Sequence, residues 1–182
     1  LAVTLDDSGQ LAGAMHSKPV FDREKDPITE KGVRLGDTWY FTSYESYIYP
    51  IRSDARGAAV GKRWSLVTDE ERAAGWRTGG LQQLAVHRAG KRLYAIMHQG
   101  PLATHKDPGN EVWVYDLNSG KRLQKITTKN IVSSIQVSQD EQPLLYGAFL
   151  ASPVLDIYNA TTGEYLRSVG DLAATATVLV TP

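Results

Sequence analysis

Two stretches decide the fold: VWVYDLNSGKRLQKI (residues 112–126) and LDIYNATTGEYLRSV (residues 155–169). Each holds a short alternating run, a polar corner ending in glycine, and a second apolar run. Tyr115 aligns with Tyr158, Gly120 with Gly163 and Leu123 with Leu166. The two glycines stand 43 residues apart, which suits a propeller blade of about 40–50 residues. Weaker copies of the corner occur in VTLDDSGQL, at Gly9, and in IRSDARG, at Gly57. Glycine suits such a corner because a tight hairpin often needs positive φ, which costs it little.

The other half of each unit repeats as well. Leu84-Ala85-Val86 leads through a turn at Ala89 and Gly90 to Leu93-Tyr94-Ala95-Ile96. Ile135-Gln136-Val137 leads through Gln139, Asp140 and Glu141 to Leu145-Tyr146-Gly147-Ala148. Trp39-Tyr40-Phe41 fills the matching second strand of an earlier unit. Runs of Val, Ile, Tyr and Trp with period-two alternation read as strands. From Gly57 to Gly120 the interval grows to 63 residues, and two inserts account for it. In TDEERAAGW, Thr68 and Glu71 form a capping box and Gly75 is a helix stop, which predicts one short helix near 69–74. The second insert is the Gly- and Pro-rich loop HQGPLATHKDPGN, residues 98–110.

The expected fold class is therefore all-β: a single β-propeller segment over 1–182, built of blades of four antiparallel strands. Residues 1–16 are the outer part of one blade. Blades follow at 17–68, 81–128 and 131–170, with a closing strand at 172–182. Joining the two ends leaves a blade one strand short. Closed rings avoid bare strand edges, so the expectation is a segment of a larger ring or one that sits beside another chain.

Composition removes several function classes. Lys plus Arg and Asp plus Glu both total 20, without the basic excess of a nucleic-acid binder. There is no cysteine, which excludes a disulfide framework and a thiol nucleophile. No apolar stretch reaches the roughly 18 residues of a membrane span, and the first residues show no signal-peptide pattern. No nucleophile elbow, phosphate loop or HExxH cluster occurs. The histidines are His16, His87, His98 and His105; for His98 and His105, which flank the long loop, and similarly for His87, loop hydrogen bonding or partner contact is the expected role, not metal ligation. The acidic residues sit in turns or in the helix, and Asn159-Ala160-Thr161 is explained by its hairpin turn. Trp39, Tyr40, Phe41, Tyr44, Tyr47 and Tyr49 crowd one hairpin. Alternation cannot send all of them to the core, so some are expected on an open or partner-facing surface.

The segment WRTGGLQQLAVHR (76–88) resembles the large (heavy) subunit of the tryptophan tryptophylquinone-dependent amine dehydrogenases, the methylamine and aromatic amine dehydrogenases. SLVTDEERAAGWRTGG, THKDPGNEVWVYD, SSIQVSQDEQPLLYG and ATTGEYLRSV carry the likeness further. The helix followed by Trp76 and the Gly79-Gly80 turn is its most specific feature. The resemblance implies the C-terminal half of a seven-bladed propeller in the periplasm. It implies no catalytic, cofactor-binding or metal residue in this chain. Tryptophan tryptophylquinone is expected in a separate small (light) subunit, with a second large subunit in the assembly and a blue copper protein of the amicyanin or azurin type as electron acceptor. SQDEQPLLY and GEYLRSV lean toward methylamine as substrate, while the THK loop also resembles the aromatic-amine enzymes.

Inserts on propeller faces are free to bind, so Trp76, Arg77, His105 and Lys106 are the candidate contacts with the small subunit. Trp76 could instead pack under its own helix. Two rival functions remain open at this level: a metal-dependent, lactonase-like propeller hydrolase, and a plain protein-interaction propeller.

Overall fold

The structure, a computed structural model, describes residues 2–5, 7–8, 11–15, 26–54, 57–81 and 83–172. An antiparallel pair comes first, β1 (Ala2–Leu5) with β2 (Leu11–Met15). Three larger antiparallel sheets follow in chain order. The first runs β3 (Ile28–Leu35), β4 (Thr38–Ser43), β5 (Tyr47–Asp54), then an outer position divided between β6 (Gly57–Val60) and β7 (Trp64–Ser65), which pair with opposite ends of β5. In the second, the leading position is divided between β8 (Trp76–Thr78) and β9 (Leu84–His87). Both pair with β10 (Arg92–Gln99), followed by β11 (Gly109–Asp116) and β12 (Arg122–Val132). The third runs β13 (Ser134–Val137), β14 (Leu144–Ala148), β15 (Leu155–Asn159) and β16 (Tyr165–Val169). The expected closing strand, Gly9 and His16 lie outside the described residues, apart from Leu172.

Each large sheet is thus four positions wide. The leading strand β9 lies between β3 and β13 and neighbours both, so the sheets fan out from a common axis as propeller blades do.

Alternation explains how the middle sheet serves two seams at once. Successive strand residues point to opposite faces. Leu93, Ala95 and Met97 of β10, with Trp113 and Tyr115 of β11, pack toward the first sheet against Ile48, Leu66 and Val67. Tyr94 and Ile96, with Val112 and Val114, pack toward the third sheet against Ile135, Val137, Leu145 and Tyr158. Because both faces are covered, its strands read as continuous apolar runs such as LYAIM and VWVY. On the third sheet, β16 is exposed along its whole length.

The local predictions hold at the corners. Gly120 and Gly163 adopt φ of +68° and +78°. Helix α1 (Asp69–Ala73) carries the full capping box: Thr68 Oγ1 accepts from the Glu71 N–H at 3.2 Å, and the Glu71 carboxylate accepts from the Thr68 N–H at 3.0 Å. Gly75, at φ +84°, ends it. Asn159 Oδ1 caps its own turn by accepting from the N–H groups of Thr161 and Thr162.

In the aromatic hairpin, Tyr40 packs on the core shared with the second sheet. Its neighbours Trp39 and Phe41 stack with each other, 6.1 Å apart. All six aromatics are half-buried.

Candidate docking face

The two inserts meet at one end of the middle sheet. The Gly100 N–H donates to the Gly75 carbonyl at 3.0 Å, and Gln99 Nε2 donates to the Ala74 carbonyl at 3.0 Å. This ties the β10–β11 loop, residues 100–108, to the end of α1. The loop is ordered from within: Thr104 Oγ1 donates to the Pro101 carbonyl at 2.6 Å, and the Asp107 N–H donates to the Thr104 carbonyl at 3.0 Å.

The Gly79-Gly80 pair fixes its position against the blades. It forms the break between β8 and β9, and Gly80 takes φ +86° there. Its N–H donates to the Asp107 carbonyl at 2.6 Å, and the next N–H, of Leu81, donates to the Ser133 carbonyl at 2.6 Å. One turn thus joins the loop, the middle sheet and the entry to the third.

Helix α1 is held to the same sheet by charge. Glu71 accepts from Arg122 at 2.8 Å and from Lys125 at 2.9 Å. Burial alone would raise the Glu71 carboxyl. The Arg122 guanidinium, the Thr68 N–H and the Lys125 ammonium outweigh it and bring the pKa down to about 2. Arg122 and Lys125 also lie over the Trp113 ring, at 4.4 and 4.0 Å from its centroid.

The four candidate contacts do not form one cluster. Trp76 and Arg77 sit on the short strand β8. The Trp76 ring is half-buried, 5.1 Å from the Trp113 ring. Arg77 Nε reaches back to the Gly75 carbonyl at 3.3 Å. His105 and Lys106 are on the loop, toward the propeller axis. The His105 ring stacks on Tyr44 of the first sheet at 4.0 Å, and Lys106 is exposed. The loop separates two hollows. The outer one is lined by Trp76, His98, Asp107, Glu111 and Ile131; the axial one has Thr29, Lys31, Gln83, His105 and Lys106 in its walls.

A buried polar chain underlies the axial hollow. Thr29 and Thr42 share a hydroxyl hydrogen bond at 2.9 Å, Thr42 Oγ1 donates to Gln83 Oε1 at 3.0 Å, and Gln83 Nε2 donates to the His105 carbonyl at 2.8 Å. Sequence reasoning missed Gln83 and Thr42. A glutamine ahead of an apolar run gives no sign of its burial, and period-two alternation would have placed Thr42 only by parity with Tyr40.

Two histidines are engaged in hydrogen bonds. His87 Nε2 lies 3.1 Å from the Asp140 carbonyl, and its Nδ1 accepts from the Gly90 N–H. His98 is buried and pairs with Thr104 Oγ1 at 3.3 Å. Burial lowers its pKa below the usual histidine value. Among the described residues, no three His, Asp or Glu side chains converge as a metal site requires, and no helix is long and apolar enough to cross a membrane.

Trp113 is 0% exposed and is covered by Trp76, Arg122 and Lys125.

Radial four-position antiparallel sheets with a shared leading-strand axis define this as a β-propeller segment. Comparison with solved structures agrees: a chain of Kuenenia stuttgartiensis hydrazine synthase superposes with a TM-score of 0.50 at 18% identity, over 78% of this chain and 38% of that one. At that identity the likeness concerns the fold alone. The chain belongs to the methylamine dehydrogenase heavy chain family, whose model matches residues 2–182. The heavy chain of Methylophilus methylotrophus is 37% identical over 164 residues, covering 88% of this chain and 40% of the relative. That of Paracoccus versutus is 37% identical over 139 residues, 76% of this chain and 33% of the relative. The chain thus spans well under half the length of these relatives.

Proposed function

We propose that this chain is part of the large subunit of a periplasmic, quinone-dependent amine dehydrogenase and serves as a scaffold for the small subunit that bears the quinone. The reaction converts a primary amine and water to an aldehyde and ammonia. Two electrons pass to tryptophan tryptophylquinone in the small subunit, then singly to a blue copper protein. Methylamine is the favoured substrate. A second large subunit completes the assembly.

The observation that carries this reading is the family match along residues 2–182. The end of the middle sheet where α1 and the 100–108 loop meet is the proposed contact, with Trp76, Arg77, His105 and Lys106 as its named residues.

Isolation of the protein together with its native partner tests the proposal. A small subunit with visible quinone absorbance, and reduction of a dye acceptor on adding methylamine, are the expected results. A preparation with neither quinone nor amine-dependent reduction removes the proposal. Faster reduction with 2-phenylethylamine than with methylamine would reassign the substrate to the aromatic class.

A further inference from the structure

We propose that Tyr165 is a covalent modification site whose phenol oxygen takes an acyl group from an activated carboxylic acid derivative. Tyr165 lies on β16 and is 38% exposed. Lys129 Nζ donates to its oxygen at 3.0 Å. The same oxygen lies 2.7 Å from Ser168 Oγ, and Ser168 Oγ donates to Asp156 Oδ1 at 2.6 Å. A serine hydroxyl has one proton to give, and Ser168 gives it to the carboxylate, so Tyr165 is the donor in its bond to Ser168. Phenol, hydroxyl and carboxylate stand in line, with an ammonium beside the first. That is the order a nucleophile, a proton relay and a base require.

A backbone irregularity brings these groups together. Tyr165 and Ser168 are three positions apart, and regular alternation would send them to opposite faces of the sheet. Between Ile157 and Tyr158 the register of β15 with β16 shifts: Arg167 stands opposite Ile157, and Tyr165 opposite Tyr158. Leu166 is the extra residue of this bulge, and it turns Tyr165 to the side of Ser168. The other groups are anchored from within. Asp156 is 2% exposed, and its second oxygen accepts from Asn130 Nδ2 at 2.8 Å. The buried Tyr158 packs edge-on to the Tyr165 ring at 5.7 Å and accepts from the Lys129 N–H at 2.7 Å. The Lys129 ammonium, with Ser168, lowers the Tyr165 pKa below the usual tyrosine value. In the step, the phenol oxygen bonds to the acyl carbon, and the bond from that carbon to the leaving group breaks, its electron pair going with the leaving group. The phenol proton passes to Ser168 Oγ as the Ser168 proton passes to Asp156. Nothing is oxidised or reduced.

Limited reaction of the intact protein with N-acetylimidazole at neutral pH, followed by peptide mass spectrometry, tests this. Tyr165 should be acetylated tenfold or more faster than the half-buried Tyr47. Exposure alone would favour Tyr165 in that comparison, so two variants decide. Lys129→Met and Ser168→Ala each keep the phenol and remove one of its partners, and each should slow acetylation of Tyr165 fivefold or more. Both positions are exposed, so the variants should fold, and their melting temperatures verify it. Hydroxylamine should strip the label, since it cleaves a phenol ester and leaves an amide. A label that resists hydroxylamine sits on Lys129 and overturns the proposal. So does a rate unchanged in either variant, or a Tyr165 that reacts no faster than Tyr47. The site belongs to the third blade and does not rest on the dehydrogenase reading.

Discussion

The carboxylate of Glu71 accepts a hydrogen bond from the Arg122 guanidinium at 2.8 Å, joining residues 51 positions apart. The same carboxylate closes the capping box of α1 and accepts from Lys125. One side chain therefore starts the helix and clamps it to the middle blade. Its pKa falls from an ordinary value near 4.5 to about 2. A carboxyl depressed on folding stabilises the folded state above pH 4.5, and that contribution is lost as pH drops from there toward 2. Glu71→Gln should cost about 1–2 kcal/mol at neutral pH, allowing for solvent screening of the partly exposed partners. Urea denaturation at pH 7 and pH 3 checks it: the difference between variant and parent should shrink at the lower pH.

His98 reports in a different window. Its pKa is lowered chiefly by burial, so the unfolded chain takes up the proton first as pH falls. Stability attributed to His98 is whole above about 6.5, the ordinary histidine value, and declines below it. The melting temperature should drop between pH 7.5 and 5.5, and His98→Gln should flatten that part of the curve. An identical slope in the variant would remove His98 as the cause.

Gly80 cannot be replaced cheaply. It holds φ +86°, and an added Cβ would lie 2.7 Å from Ile96 Cδ1 and 2.8 Å from the Ser133 carbonyl oxygen. Gly36 has a similar φ of +58° but open space around it. Gly36→Ala should therefore cost about 1 kcal/mol from backbone strain alone, and Gly80→Ala about 2–4 kcal/mol as crowding is added. Thermal melts of the two variants side by side measure the gap.

Tyr115 spans the seam between the first and second blades. Its hydroxyl donates to the Leu66 carbonyl at 2.6 Å, with Tyr115 only 1% exposed. Tyr115→Phe keeps the ring and strands a buried carbonyl, a loss of about 1–3 kcal/mol. Denaturant unfolding should show a shifted midpoint with an unchanged slope.

The docking proposal has its own measurement. Trp76→Ala and His105→Ala should each weaken binding of the folded protein to the quinone-bearing subunit by tenfold or more, read by surface plasmon resonance. Unchanged affinity in a variant that still melts cooperatively removes that residue from the contact.

Much of the fold was legible because it repeats. Gly120 and Gly163 gave the period, and Thr68 with Glu71 gave the helix; both signals are local, and local chemistry settles them. The divided strands were not legible. Nothing in RTGGLQQLAV says that β8 and β9 share one partner, since that depends on Gly80 bonding to Asp107 and Leu81 to Ser133 across the chain. The candidate site was legible only as two inserts. Their meeting rests on Gly100 and Gly75, whereas the separation of Trp76 from His105 depends on which side of the loop each side chain takes. Gln83 gave no warning at all, because its neighbours, not its type, bury it.

The two-sided core of the middle blade has an evolutionary consequence. Odd and even positions of β10 and β11 feed different seams, so deleting one residue within either strand would send that strand's side chains beyond the deletion to the opposite seams. Each core would then receive side chains cut for the other. Length drift in descendants of this sequence should accordingly be confined to the glycine corners and the 100–108 loop, while the strands between them change letters without changing number.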